Sequence, residues 1–210
     1  FSKLGARTVI LNDLSTAAGF IAYNYNNPIN AEIFEQEALN ILDEVENECG
    51  WMYETLHSDK KTMGKINYTV WSDVFICPEC AEEVIFSEVA VDKETARVNN
   101  DFLCIKCNSH LSKRTMDRAW VSKYDNSLKE TIKQSKRVPV LINYSVEGER
   151  FEKSPDENDF DVLDKIELFQ IPYRFPIDRL MNGKETRRND ISGITHMHHF
   201  YFNRGLWVLG

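Results

Sequence analysis

Two cysteine pairs, Cys77-Pro78-Glu79-Cys80 and Cys104-Ile105-Lys106-Cys107, each enclose two residues and stand 23 residues apart. Two intervening residues let a tight turn aim both sulfurs at one point. Two such turns together supply four thiolates to a tetrahedral, closed Zn2+ site. With every coordination position held by protein, such a metal folds a local module and does no chemistry of its own. Two disulfides, a redox CxxC or an iron-sulfur cluster are the competing readings of the same residues. The doubled spacing and the acidic, non-secretory character of the chain favour zinc on Cys77, Cys80, Cys104 and Cys107. The remaining cysteine, Cys49, reads as a buried helix residue.

Three further groups have chemistry to offer. Asp13 follows the β-rich run Arg7-Thr8-Val9-Ile10-Leu11 and precedes a helix. In a doubly wound sheet a carboxylate there accepts hydrogen bonds from the ribose of a nucleotide-like cofactor, while elsewhere an Asp before a helix is simply a cap. Between Lys113 and Arg137, eight basic residues stand against three acidic ones. Arg114, Arg118, Lys136 and Arg137 are the candidates there for phosphate contact, against the alternative of a solvated hairpin face. His196-Met197-His198-His199 has imidazoles but none of the spacings of a catalytic metal site. It reads as packing or as a segment beside a cofactor, and no metal is assigned to it. Arg187 and Arg188 could hold phosphate or carboxylate, though an exposed loop pair is the commoner reading. No GxxxxGK[ST] or GxGxxG motif occurs.

These residues need elements to position them. After the strand expected over 7–11, Ser15 or Thr16 caps a helix through Tyr23, with Pro28 just past its end. Phe34, Ala38, Ile41, Val45, Cys49, Met52 and Leu56 recur at helical steps, which predicts an amphipathic helix over about 30–57. Its other face is acidic and carries no Lys or Arg. A strand over 66–71 leads into the first cysteine pair, and 83–86 and 89–91 read as strands between the pairs. Val138 to Tyr144 and Glu149 to Lys153 flank Glu147-Gly148 as a hairpin, with Pro139 at an edge. A helix follows Ser154-Pro155-Asp156, and 171–191 is a loop by composition.

With 210 residues, 42% hydrophobic and 28% charged, the chain suits one ordinary core plus a small metal-nucleated satellite, or two modest domains. A net charge of -8 argues against a surface that is basic overall. No apolar run approaches 18 residues and no signal peptide is visible, so the expectation is a cytoplasmic protein without membrane attachment. The fold class expected is α+β: a partial Rossmann-like strand-helix element and an inserted α/β region carrying a zinc ribbon. Its parts are 1–27 as the core piece, 28–65 as helical, 66–124 as the ribbon and 125–210 as an α+β remainder.

The run from Val9 to Tyr25 resembles the second motif of amino-group DNA methyltransferases. The stretches Tyr68 to Cys80, Val138 to Tyr144 and Arg187 to Leu209, the last with its HMHHFYFNRGLWVL run, are similar to the adenine-specific DNA methylases that contain a zinc ribbon. The resemblance extends over nearly the whole chain. It implies a Rossmann-like enzyme that moves a methyl group from S-adenosylmethionine to an exocyclic amino group of a DNA base, usually adenine N6, with Asp13 on the cofactor ribose. The family's FxGxG loop and its (Asn/Asp)-Pro-Pro-(Tyr/Phe) motif are not in this sequence. The resemblance therefore implies an internal, non-catalytic piece whose partners are DNA and the remainder of its own chain, inserted to recognise or position DNA. The rival expectation is a non-catalytic zinc-ribbon docking module. A nicotinamide oxidoreductase using Asp13 is a third, with no dinucleotide fingerprint behind it.

Overall fold

The computed structural model describes residues 5, 8–92, 95 and 97–210. It divides into two compact units, Phe1–Asn47 and Glu48–Gly210. Helices and antiparallel sheet are both present, so the chain is of the α+β class. Among the described residues no helix is long and apolar enough to cross a membrane.

In the first unit, α1 (Thr16–Asn26) begins where expected. Ser15 is extended at φ -88 and its side chain accepts from the Ala18 N–H, satisfying one of the donors left open at a helix start. The strand expected just before it is absent: 8–11 have no regular structure, and Arg7 lies outside the described residues. A strand needs a ladder partner, and none of the described strands pairs with these residues. Next comes α2 (Ala31–Cys49), whose Asn30 cap accepts from the N–H groups of Glu32 and Ile33 at 2.9 and 3.3 Å. The helix expected to reach residue 57 stops at Cys49. Gly50 opens a 3-10 turn, Gly50–Tyr53, and Glu54–Leu56 becomes the edge strand β1. The cost of glycine in a helix and the chance of a ladder with the next strand together outweigh the helical pattern. Cys49 is buried, and burial followed by the neighbouring Glu48 charge raises its thiol pKa.

The second unit is organised on β2 (Met63–Ile76), which contains the strand expected over 66–71. The following elements are β3 (Glu83–Ile85), α3 (Phe86–Ala90), β4 (Asp101–Leu103), β5 (His110–Ser112) and β6 (Asp117–Arg118). Then come β7 (Trp120–Asp125), β8 (Glu130–Ser135), β9 (Arg137–Val146), β10 (Glu149–Lys153), α4 (Glu157–Leu168) and α5 (Asn203–Leu209). The main sheet runs β1-β2-β9-β10, with β3 and β6 also paired to β2, while β4-β5 and β7-β8 are separate hairpins. The strand expected at 89–91 is instead the end of α3, with Val91 in a single bridge to Val98. Short apolar runs of this length do not distinguish helix from strand.

The glycine hairpin forms as read. Glu147 and Gly148 take φ 50 and 88, the two positive angles of a turn that matches strand twist, and Phe151 pairs with Tyr144. Pro139 sits in β9 beyond the reach of β10, which pairs only with 142–146, so the missing N–H of proline costs no ladder bond on that side. Asp156 caps α4 in a reciprocal capping box with Asp159, and Ile166 is its buried apolar anchor.

Candidate metal centre and its surroundings

Cys77 lies just past the end of β2 and Cys104 just past the end of β4, so each pair begins where a strand stops. The two turns are built alike. Cys77 N–H donates to Glu82 O and Ala81 N–H to Cys77 O, both at 2.9 Å; Cys104 N–H donates to Ser109 O and Asn108 N–H to Cys104 O, both at 3.0 Å. Ala81 and Asn108 occupy equivalent left-handed positions, at φ 58 and 57. Such closely matched turns from unrelated residues, Pro-Glu in one and Ile-Lys in the other, point to a common demand on where the sulfurs must lie.

The four cysteines bring their sulfurs within 4.8 Å of one another. Cys77 Sγ is 3.8 Å from Cys107 Sγ, and Cys80 Sγ is 3.8 Å from Cys104 Sγ. A disulfide needs about 2.05 Å, so the sulfurs are not bonded in pairs. A tetrahedron of four sulfurs at about 2.3 Å from a central zinc has edges of about 3.8 Å, so the set is spaced to hold a metal ion. Burial acts to raise the Cys77 thiol, but the Cys80 and Glu79 N–H groups and the Ser109 hydroxyl bring it down to about 6. For Cys80 the Glu82 N–H acts to lower the pKa. Burial and the other three sulfurs prevail and push it up to about 12. Four thiols this close cannot all ionise without a cation between them.

Beneath the sulfurs lies an apolar cluster that includes Phe75, Val84, Phe102, Leu111 and Met116, with Cys77 and Cys104 among its buried members. Lys106 pairs with Glu82 across the two turns.

The basic candidates are placed less favourably for phosphate. Arg118 Nη1 donates to Asp73 Oδ2 at 2.8 Å, and its guanidinium lies 5.4 Å from the Phe75 ring centre. Lys136 Nζ lies 2.6 Å from Glu83 Oε2, and Arg137 sits 4.7 Å over the Phe202 ring. Of the four, Arg114 is exposed and the other three are half-buried. Arg187 pairs with Asp190 at 3.0 Å and Arg188 with Glu185 at 2.9 Å. In Asp13, Oδ1 accepts from the Ser15 N–H at 2.8 Å, and the residue is exposed at the entrance to α1.

Sequence reasoning missed a second convergence. His198 and His199 stand in a 3-10 turn, Met197–Phe200, where strand geometry had paired His196 with His198. Both rings are buried and both aim Nε2 at Asp125 Oδ2, at 2.8 and 3.2 Å. Burial raises the Asp125 carboxyl, but hydrogen bonds from His198, the Leu128 N–H and His199 outweigh it and hold it at about 2. Burial lowers the His199 pKa against the pull of Asp125. The only local sign of Asp125 was its place before Asn126-Ser127 at a hairpin turn, and the histidines come from 73 and 74 residues further on.

Comparison with protein-family models, with curated proteins and with solved structures finds no match for this chain. Function must therefore be read from the residues and their geometry.

Proposed function

We propose that this chain is a zinc-ribbon element of an S-adenosylmethionine-dependent DNA methyltransferase, acting on an exocyclic amino group such as adenine N6. Structural Zn2+ sits on Cys77, Cys80, Cys104 and Cys107 and fixes the module's shape; the element positions DNA and performs no methyl transfer itself. The observation that carries the zinc is the pair of matched turns with 3.8 Å sulfur edges. The methyltransferase assignment rests on the resemblance of the 9–25 and 187–209 runs. In this reading the Arg7 to Leu11 run, irregular over 8–11 in this chain, becomes a strand of a Rossmann-like core only when the remainder of the enzyme supplies its ladder partner, and Asp13 in the turn after it faces the cofactor ribose. The open apolar residues of α1, among them Phe20, Ile21 and Tyr23, agree with a helix that is covered when that core is whole. Reduced thiols of this kind belong in a cytoplasmic setting.

A second reading has its own support. Arg118, Lys136 and Arg137 are engaged within the chain, which favours a zinc-ribbon module that docks protein over one that grips phosphate. Metal analysis followed by duplex-DNA binding at two salt concentrations separates the readings. Close to one sulfur-bound zinc with affinity that falls steeply with salt supports the DNA-positioning element. Sulfur-bound zinc with no DNA binding transfers the conclusion to docking, and absence of sulfur-bound metal removes both.

A further inference from the structure

We propose that Asp125, His198 and His199 form a second metal centre, which takes one divalent transition-metal ion through a carboxylate oxygen and two imidazole nitrogens. The three residues offer ligand atoms within 4.8 Å of one another, and all three are buried. Two imidazoles and one carboxylate are a donor set suited to zinc, iron(II) or cobalt(II), and three protein ligands leave coordination positions for others.

The scaffold aims these atoms. The Ser127 and Leu128 N–H groups donate to Asp125 Oδ1 at 2.9 and 3.0 Å, which locks the carboxylate in the β7–β8 turn and leaves Oδ2 for the histidines. The histidine turn is tied on its own side, with the Met197 N–H donating to Asp178 O and the Leu180 N–H to Thr195 O, both at 2.9 Å.

Hydrogen bonding satisfies this cluster incompletely. Two ring nitrogens compete for one oxygen, and His198 Nδ1 is buried with no hydrogen-bond partner among the described residues. One cation in place of the Nε2 protons would satisfy all three ligand atoms together. This moves each ring proton to Nδ1: in His199, Thr195 Oγ1 at 3.5 Å becomes the acceptor at the expense of the present 3.2 Å contact from the Thr195 N–H, and in His198 the Nδ1 proton has no protein acceptor among the described residues, a cost that the metal bonds must outweigh.

The three residues also line a cavity of about 480 Å³, shared with Gln134, Arg174 and Tyr201. That space leaves room beside the three residues for water or a small oxygen-donor ligand to complete the coordination. The pairing of a sulfur-bound structural ion and a nitrogen- and oxygen-bound accessible ion in one chain is separable by spectroscopy, because only the first carries thiolate-to-metal charge transfer.

The test is a Co2+ titration of the whole chain, with optical spectra and metal stoichiometry. Two ions per chain are expected, the second adding ligand-field absorption without sulfur charge transfer. His198→Gln and Asp125→Asn each weaken the second ion at least tenfold and leave the sulfur bands intact. Cys77→Ser has the converse effect. A chain that takes up only sulfur-bound cobalt, unchanged by His198→Gln, overturns the proposal. Should the variants fail to fold, imidazole resonances of the native chain give the answer. Selective Zn2+-induced shifts at His198 and His199 uphold the site, and resonances that stay in place overturn it.

Discussion

Gly193 lies against Lys133 so closely that a Cβ on it would stand 2.1 Å from the Lys133 carbonyl oxygen and 2.9 Å from Gln134 Cα. It also closes the Thr186–Ser192 turn at φ 71, a conformation that favours glycine. The segment that carries His196 to His199 can therefore approach β8 only through a residue without a side chain. We expect Gly193→Ala to destabilise the second unit by about 2 kcal/mol or more, from backbone strain plus displacement of the strand contact. Gly183→Ala, where the new atom meets only Thr186 Oγ1 at 3.3 Å, is the control. Urea titrations giving equal losses for the two would show that the contact is unimportant.

Lys153 joins β10 to α4 by pairing with Asp156 at 2.7 Å and with Asp159 at 2.9 Å. Asp159 is buried and also accepts from the Thr55 hydroxyl. Lys153→Met leaves that carboxylate without its cation and should cost about 3 kcal/mol. Burial lowers the Lys153 pKa, but the two carboxylates prevail and raise it. Its contribution is therefore present below the unfolded value of about 10.4 and is lost as pH rises through the folded one. Burial raises Asp156, yet the hydrogen bonds from Lys153 and the Asp159 N–H lower it overall. Its contribution is present above about pH 3.9 and is lost as pH falls through the lower folded value. The contribution of this cluster should thus hold level between those limits and shrink on both sides, so that the alkaline drop in melting temperature is reduced in Lys153→Met. An unchanged alkaline limb in the variant would contradict the assignment.

What the sequence made legible was local. The cysteine spacing, the Glu147-Gly148 turn and the helix start after Ser154-Pro155-Asp156 each state their geometry within a few residues, and each stands where it was read. The end of α2 was hidden because the Met52 and Leu56 spacing continues a helical rhythm, while β1 exists only through its pairing with 63–65. The fate of the basic block was hidden for a similar reason. Arg118 is claimed by Asp73, 45 residues earlier, and Lys136 by Glu83, 53 residues earlier. The Asp125 and histidine convergence depends on a hairpin and a distant turn meeting, for which no periodicity gives a signal.

Those pairings divide the four basic candidates into two kinds. Arg114 is exposed. If the chain positions DNA, Arg114→Gln should weaken binding evenly across sequences and reduce the slope of log affinity against log salt by about 0.9. Arg118→Gln removes the Asp73 pair and the cation beside Phe75, so its main effect is on stability, about 1 kcal/mol. Equal changes of salt slope in both variants would mean that the internal pairs open on binding and that the division is wrong.

Metal removal should act on the two cysteine turns before it acts on the β9–β10 hairpin. The turns hold their amides by four backbone bonds, at Cys77, Ala81, Cys104 and Asn108, around sulfurs that repel one another once ionised without a cation. The hairpin is paired from Glu149↔Val146 to Lys153↔Ile142 and is joined to β2, so its ladder does not depend on the sulfurs. Chelation, or acidification that protonates the thiolates and expels the ion, should speed hydrogen exchange at the four turn amides while the β9–β10 amides stay protected. Cys104→Ser should reproduce this without chelator, since three thiolates hold the ion more weakly than four. If turn amides exchange at the same rate with metal and without it, the apolar cluster of Phe75, Phe102 and Leu111 alone holds the turns, and the ion is not what folds them.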